Sequence, residues 1–500
     1  MGFLDNLALG LQSAFAIENL LFCLAGALIG TLIGVLPGIG SLATLSMLLP
    51  VTFHLPPTGA LIMLAGIYYG AQYGGSTTAI LVNLPGETSS IVTCLDGHAM
   101  ARKGRAGAAL AIAALASFFA GTVCTLVIAV AAPPLSSAAL SFGAPEYFSL
   151  VLLGLVGSIV LAHGTLLKVV AMTLLGILFG LVGTDHTSSE LRYTFGLTML
   201  AEGVSFVAIA IGMFGIAEII LNLGGTESRS VMSRAIGRLW PSRAEFRQAT
   251  PATLRGTALG GVLGLLPGAG FLLAPFASYT LERRLAKDPD RFGKGAVEGV
   301  AGPEAANNAG AQTSFIPMLT LGIPANAVMA LMIGAMTIKG ITPGPGIMTK
   351  QPDLFWGFVV SMWIGNAMLL VINLPLIGIW IRLLKVPYHL LFPCIVLICA
   401  IGAYSVNNSA MEVGLIALFA LFGTFVRSIG CELAPFALGF ILGPLLELYL
   451  RRAMLLSRGD PITFVENPIS AGLLAVTAIL VLMIAVPAFR KTRAVAFDED

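Results

Sequence analysis

The sequence predicts an all-α, polytopic membrane protein built from two inverted-topology repeats, with re-entrant hairpins and broken helices in each. Three observations support that fold class. The chain of 500 residues is 57% hydrophobic and only 10% charged, with a mean hydropathy of +0.92. Soluble domains carry about 25% charged residues, so lipid is the main solvent here. Apolar segments of about 17–25 residues recur, the length that carries a helix across a bilayer core. A helix satisfies its own backbone in lipid, and the period-2 alternation of an outer-membrane barrel is absent. Finally, GTLIGVLPGIG (Gly30 to Gly40) returns as GGVLGLLPGAG (Gly260 to Gly270), with six identities in eleven positions.

Taken in order, residues 1–19 hold Asp5 and Glu18 but no Lys or Arg. The basic start of a cleavable signal is missing, so an interfacial or extra membrane helix is expected. Residues 20–224 make the first repeat, 225–255 a basic connector and 256–455 the second repeat. Residues 456–500 add a C-terminal membrane helix, 470–488, and a tail with Arg490, Lys491 and Arg493. Two further matches support the repeat: VNLPG at Pro85 answers LGIPA at Pro324, and APEY at Pro145 answers VPYH at Pro387. The offsets drift slowly, through 230, 239 and 242 residues. Repeats in order at a drifting offset are the mark of a duplicated unit.

Loop charges orient the repeats by the positive-inside rule. Arg229, Arg234, Arg238, Arg243, Arg247 and Arg255 outnumber Glu227 and Glu245 in the connector, which is placed in the cytoplasm. Arg255 on one side and Arg283, Arg284 and Lys287 on the other flank a broken segment. Its arms, 256–266 and 271–281, are each too short to cross, so a hairpin opening to the cytoplasm is expected. The counterpart, 20–54, contains no Lys or Arg and should open to the outside. Crossings over 59–96, 108–132, 146–162, 165–183 and 200–222 then end in the cytoplasm, and the odd count inverts the second repeat. Arg102, Lys103, Arg105, Arg382, Lys385, Arg427 and Arg490 fall inside on this count. Arg451, Arg452 and Arg458 fall outside, against the rule. The outer loops are short, 133–145, 184–199, 340–354 and 404–410, with Pro133, Pro134, Pro343 and Pro345 in stiff turns.

Each repeat is broken twice at matching places, first at LPGIG or LPGAG and then at NLPGETSS (83–90) or LTLGIPAN (319–326). Pro removes a backbone donor and Gly permits positive φ. Irregular backbone in a membrane is tolerated where it is buried in protein or lines a cavity. Paired breaks in two halves point to a transporter's midplane site, and half-helix starts there suit an anion such as a carboxylate. The expected substrate-binding residues are Gly38, Gly40, Ser41, Asn83, Gly86, Gly268, Gly270, Asn307, Asn308 and Asn326. Kinks that only permit close helix packing would leave the same pattern.

Hydroxyls and freed carbonyls near the breaks are suitable hard ligands for Na⁺. The candidates are Ser76, Thr77, Thr78, Thr313, Ser314 and Gly322; interhelical hydrogen bonding is the alternative for each. Embedded acids are functional by default. Glu87 and Glu304 sit beside the breaks, and Glu202, Glu218 and Glu432 lie in later helices; one of them could be a proton site.

Other classes find little support. No GxxxxGK[ST] is present, so the driving force is expected from an ion gradient rather than nucleotide. His54, His98, His163, His186 and His389 form no HExxH, and the six cysteines have no CxxC spacing, so no metal or cofactor is expected. Net charge is +2, too small for nucleic-acid binding. Gly74-Gly75-Ser76-Thr77 leaves an intramembrane, protease-like enzyme as one rival, without a GxSxG elbow. A stand-alone channel or exporter is the other.

The LPGIG/LPGAG pair, YGGSTTAILVNLPGE, GPEAANNA and LTLGIP followed by KGITPGPG resemble the large permease subunit of the tripartite tricarboxylate transporter family over nearly the whole chain. The chain has LGIPAN where that family more often has LGIPG. The resemblance implies a multi-pass protein of the bacterial inner membrane that imports di- or tricarboxylates or aromatic acids on an ion gradient. Na⁺ is expected over H⁺ as the coupling ion because neutral oxygens outnumber acids around the candidate site. It also implies a small membrane subunit and a periplasmic solute-binding protein as partners. An elevator-like arrangement would follow, with the two halves supplying a moving transport domain and a fixed scaffold.

Overall fold

The structure is a computed structural model, and it describes residues 2–36, 40–162, 164–185, 188–223, 238–266, 268, 270–383, 388–407 and 409–485. Gly38, with Pro37 and Ile39 at the first hairpin tip, lies outside the described residues, as do Pro267 and Ala269 at the second. So do His163, His186, Glu227, Arg229, Arg234, Lys385, Pro387, Arg490, Lys491 and Arg493.

The described residues are overwhelmingly helical, with one two-residue strand pair, Gly183–Thr184 against Leu191–Arg192. Seven of their helices are long and apolar enough to cross a membrane. Helices belonging to the repeats are labelled here. The first half holds α1 (Ile17–Gly34), α2 (Ser41–Leu48), α3 (Pro57–Val82), α4 (Ala106–Ala139), α5 (Ala144–Leu161), α6 (Leu166–Gly180) and α7 (Phe206–Leu223). The second holds α8 (Arg243–Leu263), α9 (Gly270–Leu285), α10 (Glu298–Thr313), α11 (Phe315–Leu321), α12 (Ala327–Ile338), α13 (Pro352–Asn373), α14 (Tyr388–Asn407), α15 (Ala410–Ser428) and α16 (Ala434–Leu456).

The duplication is visible in backbone packing. In the first half, Gly26, Gly30 and Gly34 of α1 lie against the carbonyls of Met63, Ile67 and Ala71 on α3, so closely that a β-carbon would collide. In the second half, Gly256 and Gly260 of α8 and Gly264 at its C-terminal end meet the carbonyls of Gly302, Ala306 and Gly310 on α10 in the same way. Small residues every fourth position let membrane helices approach to backbone contact, where dispersion replaces the missing hydrophobic drive.

The two halves are intertwined rather than laid side by side. α4 packs on α10 and α13 on α3, each pairing one half with the other. In a second group, α6 crosses α16, with Gly176 against Phe436 O and Gly439 against Thr173 O. There α7 likewise crosses α15, with Gly423 beside Met213 and Gly212 beside Ile416 O. The hairpins' second arms also reach across: α2 packs on α12, and α9 packs on the 88–93 segment that follows the first break. Each packing group therefore takes helices from both halves, which differs from a division of one half per domain. Helices that are too thin a layer alone bury their small-residue faces on counterparts from the other repeat.

Some boundaries move. α8 starts at Arg243, inside the segment read as connector, because Ser242 and Glu245 form a reciprocal capping box: Glu245 N–H donates to Ser242 Oγ at 3.2 Å and Ser242 N–H to Glu245 Oε2 at 2.6 Å. α4 runs through Pro133 and Pro134 to Ala139, so the loop expected at 133–145 shrinks to 140–143. The basic segments meet at one end: Arg105 pairs with Glu245, Lys103 Nζ donates to Lys294 O at 2.6 Å, and Arg255 grips Glu282 through two hydrogen bonds. Of the three arginines that break the charge rule, Arg452 and Arg458 are exposed and Arg451 is paired locally. It pairs with Asp185 at 3.0 Å and Glu447 at 2.6 Å, and Arg192 joins the same two carboxylates.

Candidate functional site

Both helix breaks are built by backbone geometry that the sequence motifs demand. α3 ends at Asn83 in the left-handed conformation, φ 59°, and α11 ends at Gly322 with φ 72°. A β-carbon at Gly86 would collide with Gly75 Cα, so the first break lies directly on α3. Gly268, at φ +103°, turns the second hairpin tip and donates its N–H to Ala325 O at 2.7 Å in the second break. Asn326 caps α12, its Oδ1 accepting from Met329 N–H at 3.0 Å while its amide donates to Ser314 Oγ at 3.1 Å. Ser314 Oγ also donates to Gly264 O, and Thr78 Oγ1 to Val35 O at 2.7 Å. Each hairpin's first arm is thus tied to the broken helix of its own half.

Two polar centres, the first half-buried and the second fully buried, lie close to these ties. The first surrounds Glu87, whose Oε1 accepts from Ser89 Oγ at 2.7 Å and from Asn307 Nδ2 at 3.5 Å. Ser41, at the start of α2, stands close to this carboxylate. Gly40 stands alongside: among the described residues a β-carbon there would meet only Glu87 Cβ, at 3.8 Å. Asn307 Oδ1 is buried without a partner. The centre therefore joins the first hairpin, the first break and the second half's broken helix.

The second centre surrounds Glu304 on α10, which is 1% exposed. Its Oε2 accepts from Ser76 Oγ at 2.7 Å and Ser117 Oγ at 3.4 Å, and its Oε1 from Thr93 Oγ1 at 2.5 Å. Asn308 Nδ2 donates to Ser117 Oγ at 2.7 Å and to Glu304 O at 3.1 Å. A crevice of about 10 Å³ opens beside the carboxylate, lined also by Tyr73, Ser76, Ser117 and Asn373. That is roughly the space for one water-sized species.

The expected residues divide accordingly. Gly40, Ser41, Gly86 and Asn307 gather at Glu87, while Asn308 and Ser76 face Glu304. Gly268, Gly270 and Asn326 belong to the second hairpin and break, where a β-carbon on Gly268 would lie 2.8 Å from Ser158 Cα. Asn83 ends a helix and is exposed. Thr77, Thr78, Thr313 and Ser314 donate their hydroxyls to backbone carbonyls. Of the other acids, Glu218 pairs with Arg427 and Glu202 is exposed. Sequence reading missed Thr93, Ser117 and Asn373. Each is a single small polar residue in an apolar run, and only the tertiary contact with Glu304 or its crevice marks it.

Comparison with known proteins follows the same lines. A family model described as "Tripartite tricarboxylate transporter TctA family" matches residues 20–438. A protein of Agrobacterium vitis named "Uncharacterized 52.8 kDa protein in TAR-I ttuC' 3'region" is 56% identical over 500 residues, covering 100% of both chains. A second from the same organism, "Uncharacterized protein in TAR-II ttuC' 3'region", is 56% identical over 241 residues, 48% of this chain and 100% of its own. No solved structure matches.

Proposed function

The chain belongs to the tripartite tricarboxylate transporter TctA family, and from that premise we propose that it is the large permease subunit of a binding-protein-dependent importer of small organic anions. It works in the bacterial inner membrane with a small membrane subunit and a periplasmic solute-binding protein, and an ion gradient drives it. The substrates are di- or tricarboxylates or aromatic carboxylates.

One observation carries this reading beyond the family: elements of both halves converge at Glu87, beside the start of α2 and the amide of Asn307. A helix start with free N–H groups and a neighbouring amide is chemistry suited to a carboxylate, and here a carboxylate of the protein itself already uses it. The substrate's carboxylate competes for these donors, with Gly40 leaving room for its approach. Motion of the hairpin-bearing group against the α5–α7 and α14–α16 group would expose that site to either side in turn.

The test is uptake into proteoliposomes holding the chain, the small subunit and loaded binding protein. Accumulation of a labelled carboxylate should require both partners and should stop when the ion gradient is collapsed. Robust transport by the chain alone would leave a stand-alone carrier instead.

A further inference from the structure

We propose that Glu304, Ser76, Ser117 and Asn373 form a sodium-ion site in the crevice between α3, α4, α10 and the end of α13. The proposal rests on the transporter reading above in one respect only, that this ion is the one coupled to transport.

Glu304 is a fully buried carboxylate whose side-chain partners are three hydroxyls, from α3, the 91–93 turn and α4. No Lys, Arg or His of the described residues pairs with it; the ion pairs formed by those residues engage Glu245, Asp185, Glu447, Glu282, Glu298 and Glu218. Buried charges are normally paired or hold a cation. A second observation points the same way. Asn373, 4% exposed, lines the same crevice, and its Oδ1 has no hydrogen-bond partner. Its amide nitrogen is already engaged, donating to Leu369 O at 2.9 Å and towards Thr31 Oγ1 at 3.5 Å, so Oδ1 is the acceptor this lining residue has left over.

The crevice brings Glu304, Ser76, Ser117 and Asn373 around a space for one small species, with apolar walls from Ile80, Leu110, Ala113, Ala114 and Leu374. Hard cations select oxygen ligands of these kinds. A proton on Glu304 would neutralise the carboxylate without filling the crevice, whereas a sodium ion would do both. Other titratable groups facing Glu304 are Tyr73, Cys94 and Glu87, none of them cationic. Tyr73 is committed elsewhere, its hydroxyl donating to Asn366 Oδ1 at 2.8 Å.

The placement also supplies a route for coupling. Asn308 reaches Ser117 beside the ion crevice, and its neighbour Asn307 reaches Glu87 in the carboxylate centre. Binding sodium neutralises the charge between α3 and α10, and the single turn that carries Glu304, Asn307 and Asn308 transmits the adjustment.

Thermal stability of the purified full-length chain in detergent tests this without any carboxylate or transport. Melting temperature is measured in NaCl, KCl and choline chloride at matched ionic strength, across a range of pH. Sodium should stabilise selectively, and Glu304→Gln should remove that response. Should Glu304→Gln not fold, Asn373→Leu and Ser117→Ala should each raise the half-saturating sodium concentration by roughly tenfold or more. Sodium no better than potassium, stabilisation by low pH alone, or an unchanged sodium response in the variants would each overturn the site. Because no substrate is involved, failure of the carboxylate reading would show separately, in the uptake assay.

Discussion

Glu87 is where a single residue decides most. Its carboxylate lies beside Ser41 and Asn307 and so holds donors that an incoming anion also needs. Glu87→Gln removes the competing charge and is expected to lower the KM for uptake several-fold in the reconstituted complex. A raised KM would mean that Glu87 helps to bind substrate instead. The two hairpin glycines, matched in sequence, diverge in their surroundings. Among the described residues a β-carbon on Gly40 meets only Glu87 Cβ, while one on Gly270 collides with Leu263 O. Gly40→Leu should therefore insert and melt normally yet lose uptake, whereas Gly270→Leu should lose melting temperature as well. Equal thermal stability in the two variants, measured on purified protein, would count against this distinction. Nothing in GTLIGVLPGIG and GGVLGLLPGAG separates these positions, because the neighbour that matters in each case comes from the tertiary fold.

Between elements, the glycine ladders of α1 and α8 set the spacing of hairpin and broken helix. Gly260→Val should cost about 1–3 kcal/mol, since the side chain meets the backbone of Ala306 rather than a yielding side chain. Adjacent Gly261→Ala should be nearly neutral, its β-carbon lying 3.6 Å from Cys124 Sγ. Chemical denaturation or melting of both variants reads the difference, and equal loss would show that the ladder is not the seam. The ladder was legible in sequence as glycine every fourth residue, although only the repeat motif drew attention to it. The capping box at Ser242 was legible too, as S-x-x-E, but the density of arginines made the stretch read as a connector. At Asp96 the sequence offered no sign. It is fully buried and accepts from Gly295 N–H, Ala296 N–H and Tyr279 Oη, holding the start of α10 against the segment after the first break.

For the whole molecule, the charge-derived topology and the interleaved packing make a joint statement. Single cysteines replacing Lys103 and Trp240 in a cysteine-free background should label from one side of the membrane, and one replacing Phe195 from the other. Lys103 and Arg105 already meet the 238–245 region and Lys294 at one end of the structure. Labelling of positions 103 and 195 from the same side would break the five-crossing count, and the inversion of the repeats would fall with it. Arg451 stands against that count although Asp185, Arg192 and Glu447 bind it into one network, and the exposed Arg452 and Arg458 stand against it as well.

The sequence by itself determined the solvent, the helical class, the duplication and the four breaks. These depend on composition and local backbone chemistry, which any stretch of chain carries within itself. It also singled out Glu304 and Glu87, because an acid in an apolar stretch is rare enough to stand out. Only the tertiary structure decided that each half gives helices to both packing groups, and that Ser76 and Ser117 meet at one carboxylate with Asn373 lining the crevice beside it. Those residues are separated by long stretches of chain, and a lone serine or asparagine in an apolar helix looks the same whether it bonds its own backbone or lines a site. What distinguishes the two is which helix lies opposite, and that is set by glycine-sized backbone contacts between segments remote in sequence.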